Sequence, residues 1–270
     1  MGNIYGLLGE KLGHSYSKEI HELILKHMGL KGTYNLFEVK REDLNLAING
    51  LKGLNVKGVN VTIPYKVESM KYLDEISKEA KTIGAINTID FSHGILKGYN
   101  TDYYGFGETL KRFNVPILGE KALILGTGGA SKAVRQYLID NGVREVIYAS
   151  RNKDKNISGF KVIGYNEVKN LNDVKVFINC TPCGMYPKES ECPLEKEDIK
   201  KFSYVVDLIY NPLETSLLRY GREEGLSVVN GLYMLVAQAV KSQEIWQKIK
   251  LSEDVTYEIY EELRKKLCKE

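Results

Sequence analysis

Four cysteines in 270 residues are too few for a disulfide scaffold, and no apolar run approaches the ~20 residues of a membrane span. Positive charge is scarce in any one place. The 38 Lys and Arg nearly balance 35 Asp and Glu, giving a formal net charge of +3 with no dense basic block. That excludes the electrostatic footprint of a nucleic-acid binder. The opening MGNIYGLLGEKLGHS lacks the charged start and long apolar core of a signal peptide, and position 6 is Gly where a myristoylation motif wants Ser or Thr. The expectation is a cytoplasmic globular protein with neither a membrane nor a nucleic-acid partner. Cys180-x-x-Cys183, with Cys192 nearby, suggests a metal or redox site. However, no His lies between Cys183 and Cys268 to complete a zinc set. Reduced thiols at a strand end, and no metal, are expected.

What is present fits a soluble protein with two domains: 43% hydrophobic and 27% charged residues. The most informative stretch is KALILGTGGASKA, Lys121 to Ala133. Ala122–Leu125 is a short apolar run suited to a strand buried on both faces, and Lys132–Ile139 carries helical spacing. Between them lies Gly126-Thr127-Gly128-Gly129-Ala130-Ser131. Strand, glycine turn and helix form the context of a dinucleotide fingerprint, with the phosphates on the helix N-terminus. Ser131 stands where that fingerprint has Gly or Ala.

From the N-terminus, Asn3–Leu8 reads as a strand. His14-Ser15-Tyr16-Ser17 precedes a helix over about Lys18–Met28. Ser17 is positioned as its N-cap; Ser15 has no comparable local role. Two hydroxyls at a helix N-terminus suit a carboxylate. Thr33–Val39 is a second strand and Asp43–Leu51 a short helix. In GVNVTIPYK, Gly58–Lys66, Val59, Val61 and Ile63 alternate with Asn60 and Thr62, so the polar pair shares one strand face. Either Asn60, Thr62 and Lys66 form a ligand cluster, or this is an edge strand followed by a solvated lysine. A helix over about Val67–Lys81 leads to a strand over Ile83–Ile89, which contains Asn87. A hairpin partner is expected over Ile95–Gly98. Asp102 then opens a helix; opposite Lys66 it would form a charge-assisted pair.

Past Pro116, short apolar strands alternate with helices, the signature of a parallel α/β sheet. The expected strands are Ala122–Leu125, Glu145–Ala149, Val174–Asn179, Tyr204–Leu208 and Leu226–Val229. After the second strand come Ser150, Arg151 and Lys153, with no acid at the position that would read a ribose 2′-hydroxyl. Such a set can donate to a 2′-phosphate, so NADP is expected over NAD, although Asp154 is nearby. The chain reads helical from about Leu232, with Gln238 inside an apolar run, where its amide needs a partner or a ligand.

Eight motifs in order resemble the shikimate dehydrogenase family from end to end. They are HSYS (His14–Ser17), GVNVTIPYK (Gly58–Lys66), IGAINT (Ile83–Thr88) and GYNTDYYG (Gly98–Gly105). GTGGAS (Gly126–Ser131), NCTPCGM (Asn179–Met185), DLIYNP (Asp207–Pro212) and NGLYMLVAQA (Asn230–Ala239) complete the set. The resemblance implies an α/β fold with two domains. Residues 1–103 plus 238–270 would bind substrate, and 104–237 would form a Rossmann-type parallel-sheet NADP domain, the C-terminal helices returning to the first. It implies reversible reduction of 3-dehydroshikimate to shikimate by NADPH, a step toward aromatic amino acids through chorismate. Lys66 and Asp102 would be the catalytic pair. Ser15, Ser17 and Tyr210 would hold the substrate carboxylate, and Asn60, Thr62, Asn87 and Gln238 its hydroxyls. Gly126, Gly128, Gly129 and Ala130 would meet the pyrophosphate. Ser150, Arg151 and Lys153 would meet the 2′-phosphate, and Gly231 and Met234 would lie near the nicotinamide. Departures from the family pattern are Lys18 for Pro, Thr127 for Ala, and Gln243 for an aromatic near Trp246. A quinate/shikimate dehydrogenase using NAD or NADP and a non-catalytic shikimate or dinucleotide sensor are the alternatives. A homodimer is left open.

Overall fold

The computed structural model describes residues 2–13, 15–152, 156–157 and 159–268. The chain divides into two units, Met1–Gly105 with Val236–Lys266, and Phe106–Leu235 with Leu267–Glu270.

In the first unit, β1 (Asn3–Gly9) leads to α1 (Ser17–His27), β2 (Gly32–Glu38), α2 (Leu44–Gly53) and β3 (Gly58–Val61). Then come β4 (Glu75–Ile76), α3 (Lys78–Ile83), β5 (Thr88–Asp90), β6 (Lys97–Tyr99) and α4 (Thr101–Arg112), whose first residues belong to this unit. The six strands form one sheet in the order β2-β1-β3-β5-β6-β4. β1 runs parallel to β2 and β3, and β5 antiparallel to β3 and β6. Period-two alternation sends Tyr5 and Leu7 of β1 into one core cluster and Leu8 into another. Gly58 is required by a close approach: a Cβ there would lie 2.0 Å from Nε1 of Trp246, the indole seated across it.

The edge-strand alternative for Gly58–Lys66 is ruled out, because β3 is central and wholly buried. Two expectations are corrected here. No helix spans Val67–Lys81. A 3-10 turn over Glu68–Tyr72 gives way to β4, because Glu75 pairs with Lys97 of β6 and Asp74 accepts the Leu96 N–H. The Ser77 hydroxyl then caps α3 by accepting the Ala80 N–H, and the left-handed Gly84 ends it. Ile83 therefore closes a helix, and the following strand is only Thr88–Asp90.

In the second unit, β7 (Lys121–Leu125), α5 (Gly129–Asp140), β8 (Glu145–Ala149) and β9 (Lys161–Ile163) precede β10 (Val176–Asn179) and α6 (Lys196–Ile199). β11 (Tyr204–Asp207), α7 (Ser216–Glu223) and β12 (Ser227–Val229) complete its sheet. Every strand pair is parallel, in the order β12-β11-β10-β7-β8-β9. Counted from β7, this is the 3-2-1-4-5-6 order of the doubly wound fold. The order reverses between β7 and β10, and the crevice beyond the strand ends there is where such sheets bind ligands. Leu123, Leu125, Ile147, Phe177 and Val205 fill one face. β9, only three residues long, carried no sequence signal of its own.

α8 (Leu232–Gln247) and α9 (Glu253–Leu267) end the chain. Among the described residues no helix is long and apolar enough to cross a membrane.

Candidate active site

Lys66 and Asp102 meet in the first unit through backbone that is pinned on both sides. After β3, the Tyr65 N–H bonds to the Thr62 carbonyl, and the buried Tyr65 phenol donates to the Val39 carbonyl. The Lys66 carbonyl accepts the Ile86 N–H. Asp102 sits in the first turn of α4, whose start Asn100 secures by accepting the Tyr103 N–H and donating to the Ala85 carbonyl. Lys66 Nζ then lies 2.6 Å from Asp102 Oδ2, the two side chains only 18% and 10% exposed. Asn87 Nδ2 donates to the other oxygen, Oδ1, over 2.9 Å. Both carboxylate oxygens are thereby held, and among the described residues Asp102 is the sole hydrogen-bond acceptor for Lys66 Nζ, which leaves two of its three hydrogens for a ligand oxygen.

Behind this pair lies a buried polar network. Asn87 Oδ1 accepts from the Thr101 N–H, at 2.7 Å, and from the hydroxyls of Thr101 and Thr88. Asn60 Nδ2 donates to the Ser242 hydroxyl at 2.8 Å, to Thr88 Oγ1 at 3.0 Å and to the Asn87 carbonyl at 3.3 Å. Asn60 Oδ1 accepts from the Tyr34 phenol at 2.8 Å. Gln238, half-buried, has its Oε1 within reach of the Asn87 amide and the Thr101 hydroxyl, so its carbonyl oxygen is partnered. Asn60 is thus engaged inside the protein on both sides of its carboxamide. Thr62 is half-buried and makes no side-chain hydrogen bond among the described residues.

At the start of α1, Tyr16 is the N-cap residue and makes no side-chain cap bond; Ser17 is the first helical residue. The expected Ser17 cap is therefore corrected. The Ser15 hydroxyl performs the local work instead, accepting the Ser17 N–H at 3.2 Å. Burial raises the Tyr34 phenol well above the ordinary tyrosine range, and the Ser17 side chain opposes the rise. His14 lies outside the described residues.

The second unit holds Tyr210 and the expected cofactor residues. Gly126 adopts φ +95°, and a Cβ there would meet the Cys180 carbonyl at 3.0 Å, so backbone proximity and conformation both demand glycine. Gly128 is the N-cap of α5 and offers no side-chain cap, which leaves the first N–H groups of that helix for an anion. Ser131 is spent internally, its hydroxyl donating to the Gly128 carbonyl at 2.8 Å. β7 and β8 pair in parallel with Leu125 opposite Ala149, so Ser150 and the exposed Arg151 emerge beside the glycine turn. Lys153 and Asp154 lie outside the described residues. Gly231 abuts the Leu208 carbonyl, only 2.0 Å from where a Cβ would be, and Met234 is buried on α8. A glycine turn, an uncapped helix start and an adjacent arginine together fit a phosphorylated dinucleotide.

Sequence reasoning passed over Tyr34, Thr88, Thr101 and Ser242, which belong to the network, and Asp207. The Asp207 carboxylate is fully buried and accepts from Thr215, Asn179 and the Ile209 N–H. Burial lifts it to about 6 against those bonds. Burial favours the neutral thiol at three of the cysteines: it pushes Cys180 well up, Cys183 up, and Cys192 to about 11. A cavity of about 480 Å³ in the first unit, lined in part by Lys52, Lys57, Lys248 and Trp246, shares no residue with the Lys66 network. Its Lys52 and Lys248 flank helix C-termini, where cations offset the dipole.

A doubly wound parallel sheet with a glycine turn after its first strand, in a chain that also carries a buried Lys–Asp pair, defines an α/β oxidoreductase of the dinucleotide-binding class. Residues 7–89 match the family model of the shikimate dehydrogenase substrate binding domain. A shikimate dehydrogenase (NADP(+)) of Clostridium perfringens is 47% identical over 266 residues, 97% of this chain and 98% of that protein. The crystal structure of a chorismate mutase/shikimate 5-dehydrogenase fusion protein from Clostridium acetobutylicum superposes with a TM-score of 0.96 at 52% identity, covering 100% of each chain. Shikimate 5-dehydrogenase from Thermus thermophilus, in complex with NADP(H) and shikimate, gives 0.86 at 31% identity over 96% of this chain and 99% of that one. The chain belongs to the shikimate dehydrogenase family.

Proposed function

We propose that the protein catalyses the reversible NADPH-dependent reduction of 3-dehydroshikimate to shikimate, a step toward aromatic amino acids, with Lys66 as acid/base and Asp102 as its partner. The observation that carries this reading is the Lys66–Asp102 contact of 2.6 Å, with Asn87 on the second carboxylate oxygen. The first unit would bind substrate and the second the cofactor. NADPH supplies the hydride when bound. The chain's residues manage the proton. The Lys66 ammonium donates it to the ketone oxygen as charge builds there, and the amine takes it back in the oxidative direction. Asp102 holds Nζ in place and keeps its charge compensated. Ser15 and Ser17, with Tyr210, would bind the carboxylate. Thr62, Asn87 and Gln238 would meet ring hydroxyls, and Asn60 would brace them from behind. The α5 N-terminus would take the pyrophosphate, with Ser150, Arg151 and Lys153 at the 2′-phosphate and Gly231 and Met234 by the nicotinamide.

The test is the initial rate of nicotinamide absorbance change with shikimate or quinate, each with NADP or NAD, beside Lys66→Ala. Turnover of shikimate with NADP, lost in the variant, is expected. Faster turnover of quinate, or a preference for NAD, would move the protein to a quinate/shikimate dehydrogenase. Ligand binding without turnover would mark a sensor and end the catalytic reading of Lys66.

A further inference from the structure

The buried Asp207 carboxylate, at the end of β11, has no part in the roles assigned above, yet it ties together two segments that do. Its Oδ1 accepts from Asn179 Nδ2 at 2.9 Å and from the Ile209 N–H at 3.1 Å. Its Oδ2 accepts from the Thr215 hydroxyl at 2.7 Å. All three donor residues are themselves buried. From Asn179 the connection runs toward the glycine turn. Asn179 Oδ1 accepts the Thr181 N–H at 3.0 Å and the Thr181 hydroxyl at 2.7 Å. Between them Cys180 donates its N–H to the Leu125 carbonyl and sets its own carbonyl against Gly126. From Ile209 the connection runs the other way. The Ile209 carbonyl accepts the Gly231 N–H at 2.9 Å, Gly231 packs on the Leu208 carbonyl, and Tyr210 follows Ile209 directly. Oδ2 serves a different end, since the Thr215 hydroxyl that it holds caps α7 by accepting the Leu218 N–H.

We infer that Asp207 is a positioning residue whose Oδ1 fixes the spacing between the pyrophosphate turn at Gly126–Gly128 and the Gly231 backbone beside the nicotinamide. This rests on the reading that the second unit binds NADP at those two places. The ladder between β10 and β11 ends at the Asn179–Asp207 pair. Past that point the Leu208 N–H bond to the Asn179 carbonyl and the two bonds at Oδ1 continue what sheet pairing began. A carboxylate suits the position because it only accepts, and all three groups aimed at it donate. Loss of Oδ1 leaves the glycine turn seated on β7 and α5 but frees Ile209, and through its carbonyl Gly231. The phosphates would keep their site while the nicotinamide end lost its register. Hydride transfer is sensitive to such a shift, since a misplacement of about 1 Å can cost about 10²-fold in rate.

The experiment compares Asp207→Ala, Asp207→Asn and Thr215→Val with the wild type. Steady-state kinetics with shikimate and NADP is one readout. The other is calorimetric titration with two probes, NADPH and 2′-phospho-ADP-ribose, which lacks the nicotinamide. Asp207→Ala is expected to lower kcat about tenfold and to weaken NADPH binding at least threefold, with less than about twofold change for 2′-phospho-ADP-ribose. Asp207→Asn keeps an acceptor oxygen for Asn179 and Ile209, so it should stay within about threefold of wild type in both readouts. Thr215→Val removes the α7 cap and the Oδ2 bond. It should lower the melting midpoint and leave kcat and both affinities within about twofold. A kcat for Asp207→Ala within about threefold of wild type, equal changes in the two affinities, or a Thr215→Val loss that matches Asp207→Ala overturns the inference while the functional reading stands. A wild type that binds neither probe removes the reading and this inference together. Should Asp207→Ala fail to fold, Asn179→Ala, which leaves Ile209 and Thr215 with their acceptor, takes its place, judged by kcat and NADPH affinity against the same limits.

Discussion

Asn87 Nδ2 donates to Asp102 Oδ1 over 2.9 Å while its side-chain Oδ1 takes the Thr101 N–H at 2.7 Å. One carboxamide therefore fixes both the start of α4 and the carboxylate that the helix carries. Asn87→Ala should leave Asp102 paired with Lys66 but free to swing. We expect kcat to fall roughly tenfold to a hundredfold with a smaller change in KM, because the lost interaction orients the reacting pair. Steady-state kinetics with shikimate checks this. Lys66→Ala should cost about 10²–10⁴ in kcat, the range of general acid–base catalysis.

Arg151 stands exposed at the end of β8, beside the glycine turn. Arg151→Ala is expected to raise KM for NADP tenfold or more and to leave KM for NAD within about twofold, since only the former carries the phosphate a guanidinium recognises. Equal effects on both cofactors would remove Arg151 from the 2′-phosphate.

Stability should respond to pH in opposite senses through two buried groups. Burial pushes His21 down from 6.5 to about 3, so the native state stays neutral where the unfolded chain takes a proton. Its contribution is present above pH 6.5 and is lost as pH falls toward 3. Asp207 is raised from 3.8 to about 6; its contribution is full below 3.8 and is lost as pH rises through 6. Relative to wild type, Asp207→Asn should gain up to roughly 3 kcal/mol between pH 4 and 7. His21→Phe should lose roughly 3 kcal/mol over the same rise. Urea unfolding at several pH values reads both slopes, which partly cancel in the wild type.

Gly58→Ala should destabilise by about 1–3 kcal/mol or more, because the added methyl falls on the Trp246 indole, whose Nε1 is bonded to the Ile89 carbonyl at 3.0 Å. A lowered thermal midpoint with an altered tryptophan emission is the expected result. An unchanged midpoint would mean that the indole can move aside.

What was legible in the sequence was local. Ala122–Leu125, the glycine turn and the helix after it announce themselves because apolar run, turn chemistry and helical period are consecutive. Lys66 and Asp102 were legible as types in motifs, and the structure forms their ion pair. The stretch Val67–Lys81 misled because its helical spacing is overruled by Glu75 pairing with Lys97 and by a fresh cap at Ser77. Ser17 reads as a cap by residue type, yet the helix begins on it. Tyr34 and Ser242 stayed invisible for another reason. Their partner is Asn60, 26 and 182 residues away in the chain, and no local pattern encodes a bond at that separation.

The one tryptophan of the chain sits in the first unit, stacked on Tyr5 at 5.1 Å and tilted against His21. Indole emission is consequently a private signal of that unit, whereas far-ultraviolet dichroism sums the helices of both. Recording the two through one denaturant titration would reveal whether the halves of this protein melt as a single cooperative block or one after the other.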